Sequence, residues 1–314
     1  MVMPLIGLDA RMGTALQSHK ALPVDWLRDA RAPWEDEYSD VFLQEQAQNG
    51  GIPVCFLFYA ADLGHLPVLH RILDLMLVEG LKCGLAFPST WYDFQPELVE
   101  QLYIPADLGG VFPNVEPLMV SAGVAVATEA EGYLGASLLA SFLREAKRSI
   151  ARHVGERMVP IGYYSFQDAN PWYKKQSGRP PFKTLEEVGF DYAITYKDEA
   201  KPARIVYESG KFMAINQQNE QWFWHSWETD VSFVLNKLKE QEKRVATEAP
   251  PHGWIIFAFD MPSYGLCPHY LRGMEALVRA MTYAATGGEQ KKLFLAKPHE
   301  VIRYARILHK NQQI

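Results

Sequence analysis

The stretch IPVCFLFYAADLGHLPVLHRILDLMLVEGLKCGLAF, residues 52–87, decides how this chain is read. Its opening run IPVCFLFYA (52–60) is apolar at successive positions, as in a strand buried on both faces. In LPVLHRILDLMLVEG (66–80) apolar residues recur at i, i+3, i+4 and i+7, the spacing of an amphipathic helix. LKCGLAF (81–87) is again an apolar strand run. Strand, helix, strand in that order is the unit of a parallel sheet covered by helices.

The same rhythm continues outward. GVAVAT (123–128) reads as a third strand, followed by the long amphipathic LGASLLASFLREAKRSIARHV (134–154). MVPIGYYSF (158–166) and FDYAITY (190–196) flank the short helical FKTLEEVG (182–189). WIIFAFD (254–260) leads to LRGMEALVRAMTYAATG (271–287), and KLFLAK (292–297) leads to HEVIRYARIL (299–308). No Gly-rich phosphate turn follows any early strand, which favours a β/α barrel over a doubly wound sheet. Two regions break the pattern. Residues 1–50, polar and carrying Trp26 and Trp34, read as an N-terminal helical extension outside a barrel domain of residues 51–314. An insertion is expected at about 200–252. It contains the hairpin ARIVYESGKFMAIN (203–216) with Ser209-Gly210 at its turn, the aromatic QWFWHSW (221–227) and the helix TDVSFVLNKLKEQEKRV (229–245).

Composition narrows the function. The chain has 314 residues, 48% hydrophobic and 22% charged, which excludes disorder and leaves ample apolar volume for a core. A net charge of −6 gives no basic field for nucleic acid or anionic lipid. No apolar run approaches the roughly 20 residues of a membrane span, and the start MVMPLIGLDARMG lacks a signal peptide's basic region, so a cytoplasmic protein is expected. Cys55, Cys83 and Cys267 show no CxxC spacing, and the first two lie in apolar runs that suit buried thiols. Serine-nucleophile, zincin and nucleotide-binding motifs are absent from the sequence.

In parallel barrels the reacting groups stand where strands give way to loops. Asp62, Glu129 and Asp260 each come at the end of an apolar run and are the candidate catalytic carboxylates, suited to general acid/base work. Asp62 with His65 forms a candidate pair of hard metal ligands. Helix or turn capping is the other role open to each acid. Trp91, Tyr92, Tyr163, Tyr164, Trp224 and Tyr264 are the candidate substrate-binding aromatics, because sugar rings present apolar faces to such side chains. The tryptophans could instead seal the extension against the barrel. His299, opening the last helix, reads as structural.

Three stretches resemble the polysaccharide deacetylase family of the NodB-homology type. They are LPVLHRILDLMLVEGLKCGLAF, then SFLREAKRSIARHVGERMVPIGYYSF with LEEVGFDYAITY, then GWIIFAFDMPSYG through KLFLAKPHEVIRYAR, in family order over roughly residues 53–308. The resemblance implies a distorted seven-stranded (β/α) barrel of the glycoside hydrolase/deacetylase type, a carbohydrate substrate and a divalent metal. Asp62 in Ala60-Ala61-Asp62-Leu63-Gly64 matches the family's metal-binding aspartate, and Ala61 stands where its catalytic base belongs. The two metal-binding histidines have no counterpart in Thr128-Glu129-Ala130-Glu131-Gly132-Tyr133, so the chain is similar to a divergent member. Two functions are expected: a carbohydrate-active hydrolase cutting an amide or glycosidic bond, or a catalytically silent carbohydrate-binding or scaffold barrel. Either is compatible with a homo-oligomer.

Overall fold

The computed structural model describes residues 32–35, 38–60, 66–95, 99, 101–104, 111–112, 114–120, 136–165, 181–195, 203–218, 231–247, 253–260 and 270–312. Its strands are β1 (Ile52–Tyr59), β2 (Cys83–Phe87), β3 (Val115–Met119), β4 (Gly162–Ser165), β5 (Tyr192–Thr195), β6 (Ile205–Ser209), β7 (Phe212–Asn216), β8 (Ile255–Asp260) and β9 (Leu293–Leu295). Its helices are α1 (Asp40–Gln48), α2 (Leu66–Glu79), α3 (Trp91–Phe94), α4 (Ala136–Val154), α5 (Pro181–Val188), α6 (Phe233–Thr247), α7 (Tyr270–Ala285) and α8 (Pro298–Gln312).

All strands join one sheet in the order β6-β7-β5-β4-β3-β2-β1-β8, with β9 also paired to β1. Every pairing is parallel except the β6–β7 hairpin. β1 lies between β2 and β8 and is buried at each residue. One of its edges runs along β8 from Val54↔Ile255 to Tyr59↔Asp260. On the other, β9 takes Ile52 to Val54 and β2 takes Leu57 to Tyr59.

Alternation along β1 divides the core in two, since successive strand side chains point to opposite faces. Phe56 and Phe58 pack with Phe257, Phe259 and the apolar stripes of α2, α4 and α7, among them Ile72, Leu143, Ile150 and Leu277. Cys55, Leu57 and Tyr59 pack on the other face with Leu118, Tyr164, Ile194, Ile215 and Ile256, and with Val301, Tyr304 and Leu308 of α8. Each fully buried phenylalanine contributes about 1.5–3 kcal/mol.

The inner face is curled. At the end of β7 the Gln218 N–H donates to Ile256 O at 3.0 Å, and the Ile256 N–H donates to Gln218 Oε1 at 2.5 Å. The Trp254 indole donates to Asn216 O at 3.3 Å. Strands from opposite ends of the sheet order therefore meet, and the sheet is barrel-like.

α8 closes one end of this enclosure. Tyr304 donates through its hydroxyl to Gly51 O, just before β1, and Arg306 donates to Asp191 O and Lys211 O, just before β5 and β7. These are the strands' N-terminal ends. At the helix start Lys297 is the cap residue, and a lysine offers no acceptor there. Glu300 returns its carboxylate to the Lys297 N–H at 2.7 Å, as in a capping box, and Pro298 takes the first helical position. The next orphan N–H, that of His299, donates to Glu116 Oε2 at 3.0 Å from across the barrel.

Two expectations change. The strand beside β2 is Val115–Met119, while GVAVAT (123–128) lies outside the described residues. Pro117 and Glu116 disguised this strand. Its pairing to β4 is confined to Met119↔Tyr163, so most of its second edge makes no ladder, the setting in which a strand tolerates proline. Part of the segment expected as an insertion belongs to the main sheet, because β7 pairs parallel with β5 from Tyr192↔Met213 to Thr195↔Asn216. The hairpin itself forms as read, with Gly210 at φ 55° in the turn.

Candidate active site

With α8 at the N-terminal ends, the opposite, C-terminal end of the inner face is where a parallel barrel places its chemistry. Its described floor is aromatic and amide. Tyr59 ends β1 and Tyr164 lies in β4, their ring centroids 5.9 Å apart and tilted by 53°. The Tyr164 hydroxyl donates to Gln217 Oε1 at 3.0 Å, which leaves the Gln217 amide nitrogen as the donor end of that side chain. Asn216, Gln217 and Gln218 are buried polar residues in sequence at the end of β7. Asp260 is the last residue of β8 and stands in register with Tyr59. Asn216 Oδ1 and the Gln218 amide are engaged by the backbone, so the tilted rings and the Gln217 amide nitrogen are what this floor offers.

The sequence-derived candidates fall in different places. Asp62, His65, Glu129, Trp224 and Tyr264 lie outside the described residues. Asp260 reaches the C-terminal end, as its position after WIIFAF implied. Tyr164 belongs to the inner face, whereas Tyr163 packs edge-on against Phe190 in the outer core, at 5.4 Å. Trp91 and Tyr92 are also outer-core residues, packed against Phe87. The Tyr92 hydroxyl meets that of Tyr103 at 2.9 Å, and Tyr103 donates on to Met158 O. Burial pushes the Tyr92 phenol well up, as it does that of Tyr103. Neighbours in sequence thus divide between faces by strand alternation. Tyr59 was not singled out from the sequence, although it stands at the end of an apolar run.

A second polar cluster sits at the closed end. Glu116 is fully buried and its Oε2 accepts from His299 Nδ1–H at 2.7 Å as well as from the backbone N–H. Its Oε1 accepts from the Tyr192 hydroxyl at 2.5 Å. Burial alone would raise the Glu116 carboxyl, but the His299 imidazole and these hydrogen bonds outweigh it and hold the group below its ordinary value. Burial also pushes the Cys55 and Cys83 thiols up, so neither supplies a thiolate at neutral pH. This cluster caps α8 rather than facing the open end.

A divalent metal is what the family resemblance implies. Among the described residues no three His, Cys, Asp or Glu side chains gather as ligands. Among the described residues no helix is long and apolar enough to cross a membrane.

No family model matches the chain, and no curated protein matches it. Its fold is similar to that of a 4-alpha-glucanotransferase from Thermococcus litoralis, with a TM-score of 0.51 and 15% identity over 80% of this chain. The chain spans about 40% of the length of that enzyme. A structure described as a fructose-1,6-biphosphate aldolase from Coccidioides immitis aligns over 90% of this chain and 96% of its own at a TM-score of 0.28 and 5% identity. The protein is an α/β chain with a barrel-like sheet, a fold it shares with the glucanotransferase.

Proposed function

We propose that the protein is a carbohydrate-active hydrolase whose site lies at the C-terminal end of a distorted seven-stranded barrel of the glycoside hydrolase/deacetylase type. The observation that carries this reading is the floor of Tyr59, Tyr164 and Gln217 with Asp260 ending β8 in register with Tyr59, opposite the end that α8 closes. The resemblance to polysaccharide deacetylases and the fold shared with a glucanotransferase both support a carbohydrate substrate. In this reading the rings and the Gln217 amide bind sugar, and Asp260 with Glu129 forms the carboxylate pair. One acid protonates the leaving group while the other activates water or attacks. If the bond is an amide, Asp62 orients the water and Glu129 or Asp260 takes its proton. The protein works in the cytoplasm, without nucleic acid or membrane as partner.

The test uses two substrates, a p-nitrophenyl malto-oligosaccharide and an N-acetylated chito-oligosaccharide. One of them is turned over, and Asp260→Asn and Glu129→Gln each lower kcat by about 100-fold or more with the thermal midpoint preserved. Sugar binding without turnover of either substrate leaves the silent carbohydrate-binding barrel, which the missing family histidines favour. Absence of both binding and turnover removes both readings.

A further inference from the structure

A cavity opens where the approach to β6 and β8 meets the second half of α8, beside Asn216 at the end of β7. It measures about 290 Å³ and is lined by Arg204, Ile205, Trp254, Ala305, Leu308 and His309, among others. Its side chains are mostly apolar, although polar and apolar surface are exposed in it equally. The exception on the β6 side is Arg204, whose main chain is clamped: its N–H donates to Asn216 Oδ1 at 2.8 Å and its carbonyl accepts from the Asn216 N–H at 3.3 Å. Its guanidinium is not clamped. Arg204 Nε is buried with no hydrogen-bond partner. On the facing wall His309 is already engaged, its Nε2 3.0 Å from Glu208 Oε2.

A buried N–H left unpaired is destabilising, and here it belongs to a cation facing a groove. Such an arrangement is stable when the acceptor comes from outside. We infer that this groove is a binding site for a small monocarboxylate with a compact apolar body. The guanidinium's planar fork matches a carboxylate, and Ile205, Trp254, Ala305 and Leu308 take the hydrocarbon. A single cation serves the groove from Arg204, and the α8 residues facing it lie in the helix's second half, where the dipole is negative. Both features disfavour a doubly charged phosphate relative to a carboxylate. The cavity adjoins Asn216, but the inference does not rest on the reading of the proposed active end.

Benzoate is the probe, with benzyl alcohol as its neutral counterpart. A ligand of this size binds with a dissociation constant of about 1 mM. Calorimetric titration of the full chain with sodium benzoate is expected to saturate, with benzyl alcohol at least tenfold weaker and Arg204→Met lowering benzoate affinity at least tenfold. In the wild-type protein, benzoate should shift the Trp254 indole N–H resonance, a readout that holds even if the variant fails to fold. No saturation up to about 10 mM, equal binding of the alcohol, undiminished affinity in a folded Arg204→Met, or binding without a Trp254 shift would each overturn the assignment. Phenyl phosphate binding more tightly than benzoate would overturn the choice of carboxylate.

Discussion

Glu116 puts a carboxylate into a layer otherwise made of Cys55, Leu57, Leu118, Tyr192 and Ile194. Three donors hold it there: the His299 backbone, the His299 ring and the Tyr192 hydroxyl. Removing one partner from a buried, paired group costs about 3–5 kcal/mol. Glu116→Gln keeps the shape but loses the charge, and its stability at pH 7 in urea denaturation is expected to fall by about 3 kcal/mol. The pH dependence has a definite sign. Because the folded carboxyl titrates below its unfolded value of about 4.3, its contribution is present in full above that pH and is lost as pH falls through the folded value. The acid limb of the stability profile should therefore be flatter in Glu116→Gln than in the wild type. An equally steep limb in the variant would show that other groups drive acid unfolding. The sequence did not point to Glu116, since a lone acid in FPNVEPLM beside a proline looks like loop. The strand-end position of Asp260 was legible, because the apolar run WIIFAF stops at a charge.

Elements with a clean period were legible and those closed by a single contact were not. β1, α2 and β2 follow from residues 52–87 almost residue by residue, because each is buried along a whole face or on both. β7 was read as part of an excursion, since the hairpin turn at Gly210 is a local signal while its parallel partner β5 is not. The seam was invisible for the same reason. Gln218 uses its side-chain oxygen in place of a backbone carbonyl to accept the Ile256 N–H, and its Nε2 donates to Asn216 O at 3.2 Å. A side chain that completes a ladder has no periodicity to betray it. Gln218→Ala leaves the buried Ile256 N–H without that acceptor, an expected loss of about 1–3 kcal/mol. Hydrogen exchange locates the effect: the Ile256 amide should exchange faster while Ala60, whose N–H donates to Ala86 O on the far side of β1, stays protected. Equal acceleration at both would mean that the substitution loosens the whole sheet and that Gln218 is no local stitch.

At the scale of the whole molecule the barrel is polarised, and the N-terminal segment strengthens the closed pole. Tyr38 is its anchor: the hydroxyl donates to Leu295 O at 3.0 Å and the N–H to Glu300 Oε1 at 3.3 Å. Its ring stacks on Phe42 at 4.5 Å, and Lys82 Nζ lies 3.6 Å from its centroid. The buried Lys297 ammonium donates to Pro33 O at 2.9 Å, and Arg303 spans Tyr38 O and Asp40 Oδ1. Glu300 is shared between this strap and the cap of α8, so strap and plug form one unit. The described residues of this segment join both cores, Leu43, Tyr38 and Phe42 the one that α8 shares and Ala32 and Trp34 the other. That geometry separates stability from activity. Tyr38→Ala removes the stack and leaves Lys82 without its ring, and a loss of about 2–3 kcal/mol is expected, at or below the usual range for deleting a large aromatic. Well below the lowered thermal midpoint, kcat and KM toward whichever sugar is turned over should match the wild type. A raised KM in a fully folded Tyr38→Ala would mean that substrate contacts the strapped pole, and the site would have to be moved from the open end to the closed one.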